Sequence, residues 1–221
     1  MAGSVATTVQ PGRGFWLCWV LANALSEIAG LAASAVVWFL LTMSRGSEME
    51  PTGFALLLTV LLLGALGGTL VGYAQWLVLR RAVAGLAGSP WILATVGGAL
   101  TTWLLGMLAG GKAGAPPEES PGLIITGAAL VGAGLGALLG VAQWFVLRRH
   151  VRRAGWWVLA NALAWAGGMA VAFFGADAVR TGETLAGYAL RDAATGLAAG
   201  VLVGGIHGAF LVGLLRRQRV S

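Results

Sequence analysis

The sequence predicts an all-α polytopic membrane protein in which six transmembrane helices form three pseudo-symmetric two-helix hairpins. Three observations lead to this fold class. Hydrophobic residues make up 58% of the 221 residues and charged residues only 10%, whereas soluble domains carry about 25% charged residues. Six apolar segments are long enough to cross a bilayer, which takes ~20 residues each. The third observation is an internal repeat, which indicates an architecture built from copies of one unit.

The six spans are expected to form a single transmembrane domain that covers residues 1–221. The first apolar run has 29 residues, far more than the apolar core of a signal peptide, which has about 7–15. We therefore expect it to be a membrane helix. The predicted spans are Phe15–Met43, Phe54–Leu79, Trp91–Ala109, Leu123–Leu147, Trp156–Phe174 and Ala193–Leu215.

Ten of the 14 lysine and arginine residues lie on one side of these spans. Because an excess of Lys and Arg marks the cytoplasmic side, both termini are expected in the cytoplasm. The preference for arginine over lysine is typical of a GC-rich bacterial genome, so the predicted location is the bacterial inner (plasma) membrane. The cytoplasmic set is Arg13, Arg80, Arg81, Arg148, Arg149, Arg152, Arg153, Arg216, Arg217 and Arg219; the outer set is Arg45, Lys112, Arg180 and Arg191, with the acidic residues Glu48, Glu50, Glu118, Glu119, Asp177, Glu183 and Asp192.

Seven tryptophans close to the cytoplasmic side are expected to form an interfacial aromatic belt. Cys18 lies within the first span and is the one cysteine of the sequence. An intramolecular disulfide is therefore excluded, and a buried apolar thiol is expected. The belt tryptophans are Trp16, Trp19, Trp76, Trp91, Trp144, Trp156 and Trp157.

The internal repeat has an offset of 68 residues in the even-numbered spans. Gly72–Arg81 reads GYAQWLVLRR, and Gly140–Arg149 reads GVAQWFVLRR. In the odd-numbered spans, Trp19–Asn23, Trp91–Thr95 and Trp157–Asn161 match too, with small changes in loop length. The expected units are residues 15–81, 90–149 and 155–217, and the glycines they share are Gly64, Gly68, Gly72, Gly132, Gly136, Gly140, Gly200, Gly204 and Gly208.

These shared glycines are typical of close helix packing in membranes, where small residues four apart let two backbones touch. We expect the three even-numbered helices to form an inner trio, with the odd-numbered helices outside. Gln75 and Gln143 follow Gly72 and Gly140 by three residues, which places them on the same helix face. Both glutamines are therefore expected to point into the bundle.

The repeated motif GxxxGxxQWxVLRR, followed by Gly155–Ala160, resembles that of uncharacterised bacterial multi-pass membrane proteins. The resemblance covers most of the chain and implies the two-helix hairpin architecture, without an activity. A plan of three two-helix units is also similar to mitochondrial carriers. Their Pro-x-Asp/Glu-x-x-Lys/Arg signature is missing from the odd-numbered spans, so that family is set aside.

Functional residues are expected where one copy of the repeat departs from the others. Glu27 is matched by Ala99 and Trp165 and is predicted to lie ~18 Å into the membrane, where an ionisable group is a functional hypothesis. His207 is matched by apolar residues in both other copies. If three hairpins close into a ring, the first and last helices are neighbours and these two side chains are candidates for contact. A structural hydrogen bond, a proton- or ion-linked site and no contact at all remain open.

Polar side chains also recur in the inner half of the spans, at Asn23, Asn161, Gln75 and Gln143, with Thr95 in the middle copy. They are expected to bond the helices together; a shallow polar pocket is the alternative. The arginine pairs are expected to anchor the helix ends, and contact with anionic lipid headgroups is their second interpretation. These pairs are Arg80 and Arg81, Arg148 and Arg149, and Arg216 and Arg217.

The sequence shows no metal-ligand spacing and no phosphate-binding loop, so no enzyme activity and no cofactor are predicted. It favours a non-catalytic accessory or scaffold subunit of a membrane complex, or a lipid-binding protein. The alternative is a small proton-coupled transporter or channel that uses Glu27 and His207; pigment or quinone binding through His207 also stays open. The expected partners are membrane lipids and a membrane protein or second copy of the chain. Nucleic acid is not expected, because the basic residues sit at the ends of apolar segments.

Overall fold

The computed structural model describes residues 11–43, 53–110, 121–177 and 184–218, and these residues form six α-helices and no strands. Each helix is long and apolar enough to cross a membrane, as in a multi-pass membrane protein. Most of the charges predicted for the outer side, and Arg219, lie outside the described residues. The helices are α1 (Arg13–Met43), α2 (Gly53–Leu79), α3 (Gly88–Gly110), α4 (Pro121–Leu147), α5 (Trp156–Asp177) and α6 (Leu185–Gln218).

Five helices begin and end within three residues of the predicted spans, but α6 begins at Leu185, well before the predicted Ala193. The predicted span started after Arg191 and Asp192 because charges are costly in lipid. In the helix, these two charges neutralise each other, with Nη2 of Arg191 3.1 Å from Oδ1 of Asp192. The Arg191 guanidinium also lies over the ring of Tyr188, 4.6 Å from its centroid. The helix continues through both charged residues, because α6 has 34 residues and is therefore longer than the ~30 Å that an apolar span must cross.

The six helices form a closed ring in chain order, in which each helix packs against its two neighbours in sequence and α6 packs against α1. The predicted inner trio is wrong, because the backbones of α2, α4 and α6 do not approach one another within the described residues. Their glycine faces pack against odd-numbered helices instead, α2 on α3, α4 on α5 and α6 on α1. Each even-numbered helix has one such face, and the backbone of a single neighbour fills it.

The main hydrophobic core lies at one end of this ring, which we call the arginine end. Loops 80–87 and 148–155 and the last turn of α6 meet there. Val83 and Val151, one from each loop, are buried in this core. The core thus extends from the helices into the loops, and it surrounds the polar side chains described below.

Cys18 lies on the outside of the ring, so the expectation of a buried thiol is wrong. Leu17, Leu21 and Leu25 on the same helix are exposed as well. In a membrane protein this face of α1 meets lipid hydrocarbon, which is as apolar as a leucine core. An apolar thiol is therefore stable there without contacts to other helices.

Candidate functional site

Close backbone approach brings the polar side chains of the odd-numbered helices into the ring. A β-carbon at Gly204 would lie 3.0 Å from Cβ of Asn23, and one at Gly140 would lie 2.9 Å from Cβ of Asn161. Any residue larger than glycine would push these amides away from the interior. Similar close approach is found at Gly68, Gly72, Gly132, Gly136 and Gly200. Gly64 lies against the side chains of Leu100 and Trp103, and Gly208 lies against those of Trp16 and Trp19.

Amide side chains form a continuous hydrogen-bonded network inside the ring. Nε2 of Gln75 donates to Oδ1 of Asn23 at 2.9 Å. Nε2 of Gln143 donates to Oε1 of Gln75 at 3.1 Å and to Oγ1 of Thr95 at 3.0 Å. Nε1 of Trp157 donates to Oε1 of Gln143 at 2.9 Å. These bonds connect one residue from each of the five helices α1, α2, α3, α4 and α5. The two glutamines are only 2% and 0% exposed, which favours bonding between helices over an open polar pocket.

Three matched tryptophans fill the ring beside this network: Trp19, Trp91 and Trp157, each 0% exposed. The ring centroid of Trp157 lies 5.8 Å from that of Trp19 and 6.2 Å from that of Trp91. The prediction that these three residues belong to an interfacial belt is therefore wrong. Their large apolar surfaces are buried in the protein interior, where they keep water away from the amides.

Three polar atoms of the matched tryptophans and amides have no partner among the described residues, namely Nε1 of Trp19, Nε1 of Trp91 and Oδ1 of Asn161. Oε1 of Gln75, the match of Gln143 in α2, accepts from Gln143 and not from Trp91, whereas the other two unpaired atoms correspond to bonds that Gln143 makes. Gln143 accepts from the tryptophan of the helix that follows it and donates to the polar residue of the helix before it. At an offset of 68 residues from Gln143, α6 carries the fully buried Leu211. Leucine can make neither bond, so Nε1 of Trp19 and Oδ1 of Asn161 have no glutamine at this position to pair with.

Leu211→Gln is expected to stabilise the protein by about 1 kcal/mol, because the new amide would bond to Nε1 of Trp19 and Oδ1 of Asn161. Leu211→Met, which keeps the size and adds no hydrogen-bonding group of this strength, is the matched control. Thermal unfolding of the purified variants in detergent measures the difference. If Leu211→Gln unfolds at a lower temperature than Leu211→Met, the missing glutamine is not the reason that these two atoms are unpaired.

His207 is 1% exposed and belongs to the tryptophan cluster by packing. Its ring centroid lies 5.0 Å from that of Trp157, with the two planes tilted by 37°. Neither imidazole nitrogen has a hydrogen-bond partner among the described residues. The imidazole therefore contributes an aromatic surface to the cluster rather than a bond to the network.

Glu27 and His207 do not meet, although α1 and α6 are neighbours. These helices run antiparallel, so that Gly208 packs against Trp19 while Gly196 packs against the backbone of Glu27. His207 and Gly196 are eleven residues apart on α6, which is about 16 Å along the helix axis. Side-chain contact is excluded at this separation, because the register of the two helices places the groups at different depths.

Glu27 is half-buried, and its carboxyl group has no hydrogen-bond or ion-pair partner within the described ranges. The adjacent hydroxyl of Ser26 donates to the carbonyl of Ala22 at 2.7 Å. In the part of the chain that the structure describes, no three His, Cys, Asp or Glu side chains gather as a metal site requires. Glu27 is therefore an isolated ionisable group in a membrane helix.

The arginines at the helix ends are used in different ways. The guanidinium of Arg80 lies over the ring of Trp76 at 4.9 Å, and that of Arg148 over Trp144 at 4.8 Å. These stacked pairs support an anchoring role at the end of α2 and of α4. Of the remaining four, Arg81, Arg149 and Arg217 are exposed, and Nε of Arg216 donates to the carbonyl of Pro11 at 2.8 Å.

A groove with a volume of about 690 Å³ opens at the arginine end, between the start of α5 and the end of α6. Reasoning from the sequence did not single it out, because its residues come from two distant segments. A comparison of the two repeat copies could have indicated the groove. Positions 152 and 153 are arginines, whereas the corresponding positions 84 and 85 are alanine and glycine. The main lining residues are Arg152, Arg153, Trp156, Phe210, Arg216 and Arg217.

Comparisons with protein-family models, with curated proteins and with solved structures each find no match to this chain.

Proposed function

We propose that this chain is a non-catalytic integral membrane protein that serves as an accessory or scaffold subunit of a bacterial membrane complex and binds lipid. The observation that carries the proposal is the filled interior, where Trp19, Trp91, Trp157 and Gln143 are all 0% exposed. A conducting pathway needs a continuous polar lining, and aromatic rings occupy this part of the interior. Such a ring is suited to association through its outer surface.

The proposed architecture is three pseudo-symmetric hairpins with both termini in the cytoplasm. The two loops at the arginine end support the repeat, because Val83 N donates to Leu79 O and Val151 N donates to Leu147 O, both at 2.8 Å. The four positions correspond at the 68-residue offset. The excess of arginine at this end supports a cytoplasmic orientation, and the bias for arginine over lysine supports a bacterial plasma membrane.

A partner protein is expected on one side of the ring. Leu62, Leu130 and Ala198 are exposed residues at 68-residue intervals on α2, α4 and α6, so they sample three sides. A photoreactive amino acid at each position, activated in the native membrane, tests the accessory role. We expect a discrete protein adduct at one position and lipid adducts at the other two. Lipid adducts alone at all three positions would contradict a stable partner.

Glu27 favours a second candidate, the small proton-coupled transporter or channel. A carboxyl group without a partner in a membrane helix is costly, and such groups mark proton and ion pathways in many membrane proteins. His207 lies about 16 Å away along the helix axis, so Glu27 would have to carry the proton without direct transfer to the imidazole.

The accessory role predicts that the purified chain in proteoliposomes shows no proton flux above the lipid background, and that Glu27→Gln changes nothing. A pH-sensitive dye inside the vesicles, under an imposed membrane potential, measures the flux. A clear flux in the unmodified chain that Glu27→Gln abolishes would overturn the accessory role and support the transporter.

A further inference from the structure

The groove at the arginine end brings together four basic residues from two segments of the chain. Arg152 and Arg153 lie in the loop before α5, while Arg216 and Arg217 lie at the end of α6. No carboxylate is among the groove-lining residues in the described part of the chain. Four arginines around one concave surface favour a ligand with concentrated negative charge.

The wall of the groove is apolar, with the indole of Trp156 and the ring of Phe210. Trp156 is 52% exposed, at the level where α5 begins. Tryptophan at such a level places an apolar ring beside lipid and its N–H beside the headgroups. A ligand that fills this groove therefore needs an anionic head and an apolar body.

The positive charge of the groove is specific to one of the two loops at the arginine end. Loop 80–87 reads RRAVAGLA and loop 148–155 reads RRHVRRAG. The two loops share the backbone hydrogen bonds of their first four residues: the amides of Ala82 and His150, for example, donate to the carbonyls of Leu79 and Leu147 at 2.9 Å. The added arginines are therefore not needed for this turn, because the first loop makes it without them.

Arg153 has an unfavourable backbone conformation. Its φ is +56°, and the corresponding residue of the first loop is Gly85, with φ +74°. Glycine adopts this left-handed region freely, whereas a β-carbon disfavours it. Backbone strain at a residue whose counterpart is glycine points to a function. Here the side chain of the strained residue, Arg153, lines the basic groove.

We propose that this groove binds the phosphate group of an anionic phospholipid, with the acyl chain against the wall formed by Trp156 and Phe210. Arginine suits this role because its planar guanidinium forms paired hydrogen bonds with phosphate oxygens. Arg153 and Arg217 are exposed and supply charge to the groove from its two chain segments. The end of α6 is held beside the loop, since Nε2 of Gln218 donates to the carbonyl of His150 at 2.9 Å. The two segments that carry the four arginines are thus held side by side before the lipid arrives.

The test is a calorimetric titration of the full-length chain in detergent with dihexanoyl phosphatidylglycerol. Dihexanoyl phosphatidylcholine, glycerol 3-phosphate and inorganic phosphate are titrated in parallel. The test variant is Arg153→Gly, which restores the residue type of the first loop. Arg13→Ala is the matched control, because it removes one exposed positive charge from the same end of the bundle outside the groove.

We expect saturable binding of phosphatidylglycerol that Arg153→Gly weakens about fivefold and that Arg13→Ala leaves within about twofold. Arg152→Ala combined with Arg153→Gly should weaken it further, by about 25-fold. Thermal unfolding of Arg153→Gly should be no lower than that of the unmodified chain, which separates a loss of binding from a loss of folding. Equal binding of phosphatidylcholine, or equal effects of Arg153→Gly and Arg13→Ala, would overturn the site.

The two soluble anions distinguish a lipid site from a site for a free phosphate compound. The lipid assignment predicts that both bind at least about tenfold more weakly than phosphatidylglycerol, because they lack the acyl chains that contact the wall. Glycerol 3-phosphate as strong as the lipid would overturn the lipid assignment. The inference rests on the lipid-binding part of the proposed function and is independent of a protein partner, so failure of the titration leaves the photocrosslinking result unaffected.

Discussion

Gly136→Val is expected to destabilise the protein by about 3 kcal/mol or more. A β-carbon at Gly136 would collide with the backbone carbonyl oxygen of Asn161 and would lie 2.7 Å from Cβ of Trp165. The first contact is with the backbone of α5, so no side-chain rotation relieves it. Helices α4 and α5 would have to separate, which would also pull the buried amides apart. Thermal unfolding in detergent, followed by light scattering, measures the effect.

Gly134→Val is the matched control for this prediction. Gly134 lies two residues away on the same helix, and a β-carbon there meets nothing within 4 Å. Both substitutions carry the same change in helix propensity, so their difference reports on packing alone. Equal loss of stability in the two variants would contradict the close approach of α4 and α5.

Gln143→Leu is expected to destabilise the protein by about 2–3 kcal/mol. The change removes the bonds from Gln143 to Gln75 and Thr95 and leaves the indole N–H of Trp157 buried without an acceptor. The unpaired donor is the larger part of the cost, since its desolvation is no longer compensated. The same unfolding measurement tests the change.

Trp157→Phe separates the two parts of this effect, because phenylalanine keeps an aromatic ring and removes the indole N–H. The double variant Gln143→Leu with Trp157→Phe should be more stable than the sum of the single losses predicts, by about 1 kcal/mol. Strict additivity of the two changes would mean that the 2.9 Å bond between these side chains contributes nothing to stability.

The helices could be predicted from hydropathy because lipid imposes one requirement on every spanning segment, an apolar length near 30 Å. The early start of α6 could not, because hydropathy counts Arg191 and Asp192 as two charges. Their ion pair depends on side-chain geometry, which a hydropathy scale does not include. The glycine pattern predicted close packing but not its partner: spacing shows that a helix has a small-residue face, and only the tertiary structure shows which neighbour fills it.

The polar members of the buried network were all identified from the sequence, since polar residues inside apolar spans are rare. The position of Trp19 near a span end predicts the lipid interface instead, although it lies four residues before Asn23 and therefore on the same helix face. The same four-residue spacing recurs between Trp91 and Thr95. This spacing indicates that the tryptophans are buried with the polar residues. The separation of Glu27 from His207 was not predictable, because it depends on the register of α1 against α6.

The measurement that tests the accessory role most directly is native mass spectrometry of the chain after gentle extraction from its own membrane. We predict a complex that contains a second, different membrane protein in fixed stoichiometry with this chain. A monomer or homo-oligomer without any other protein, observed under conditions that preserve known complexes from the same membrane, would contradict it.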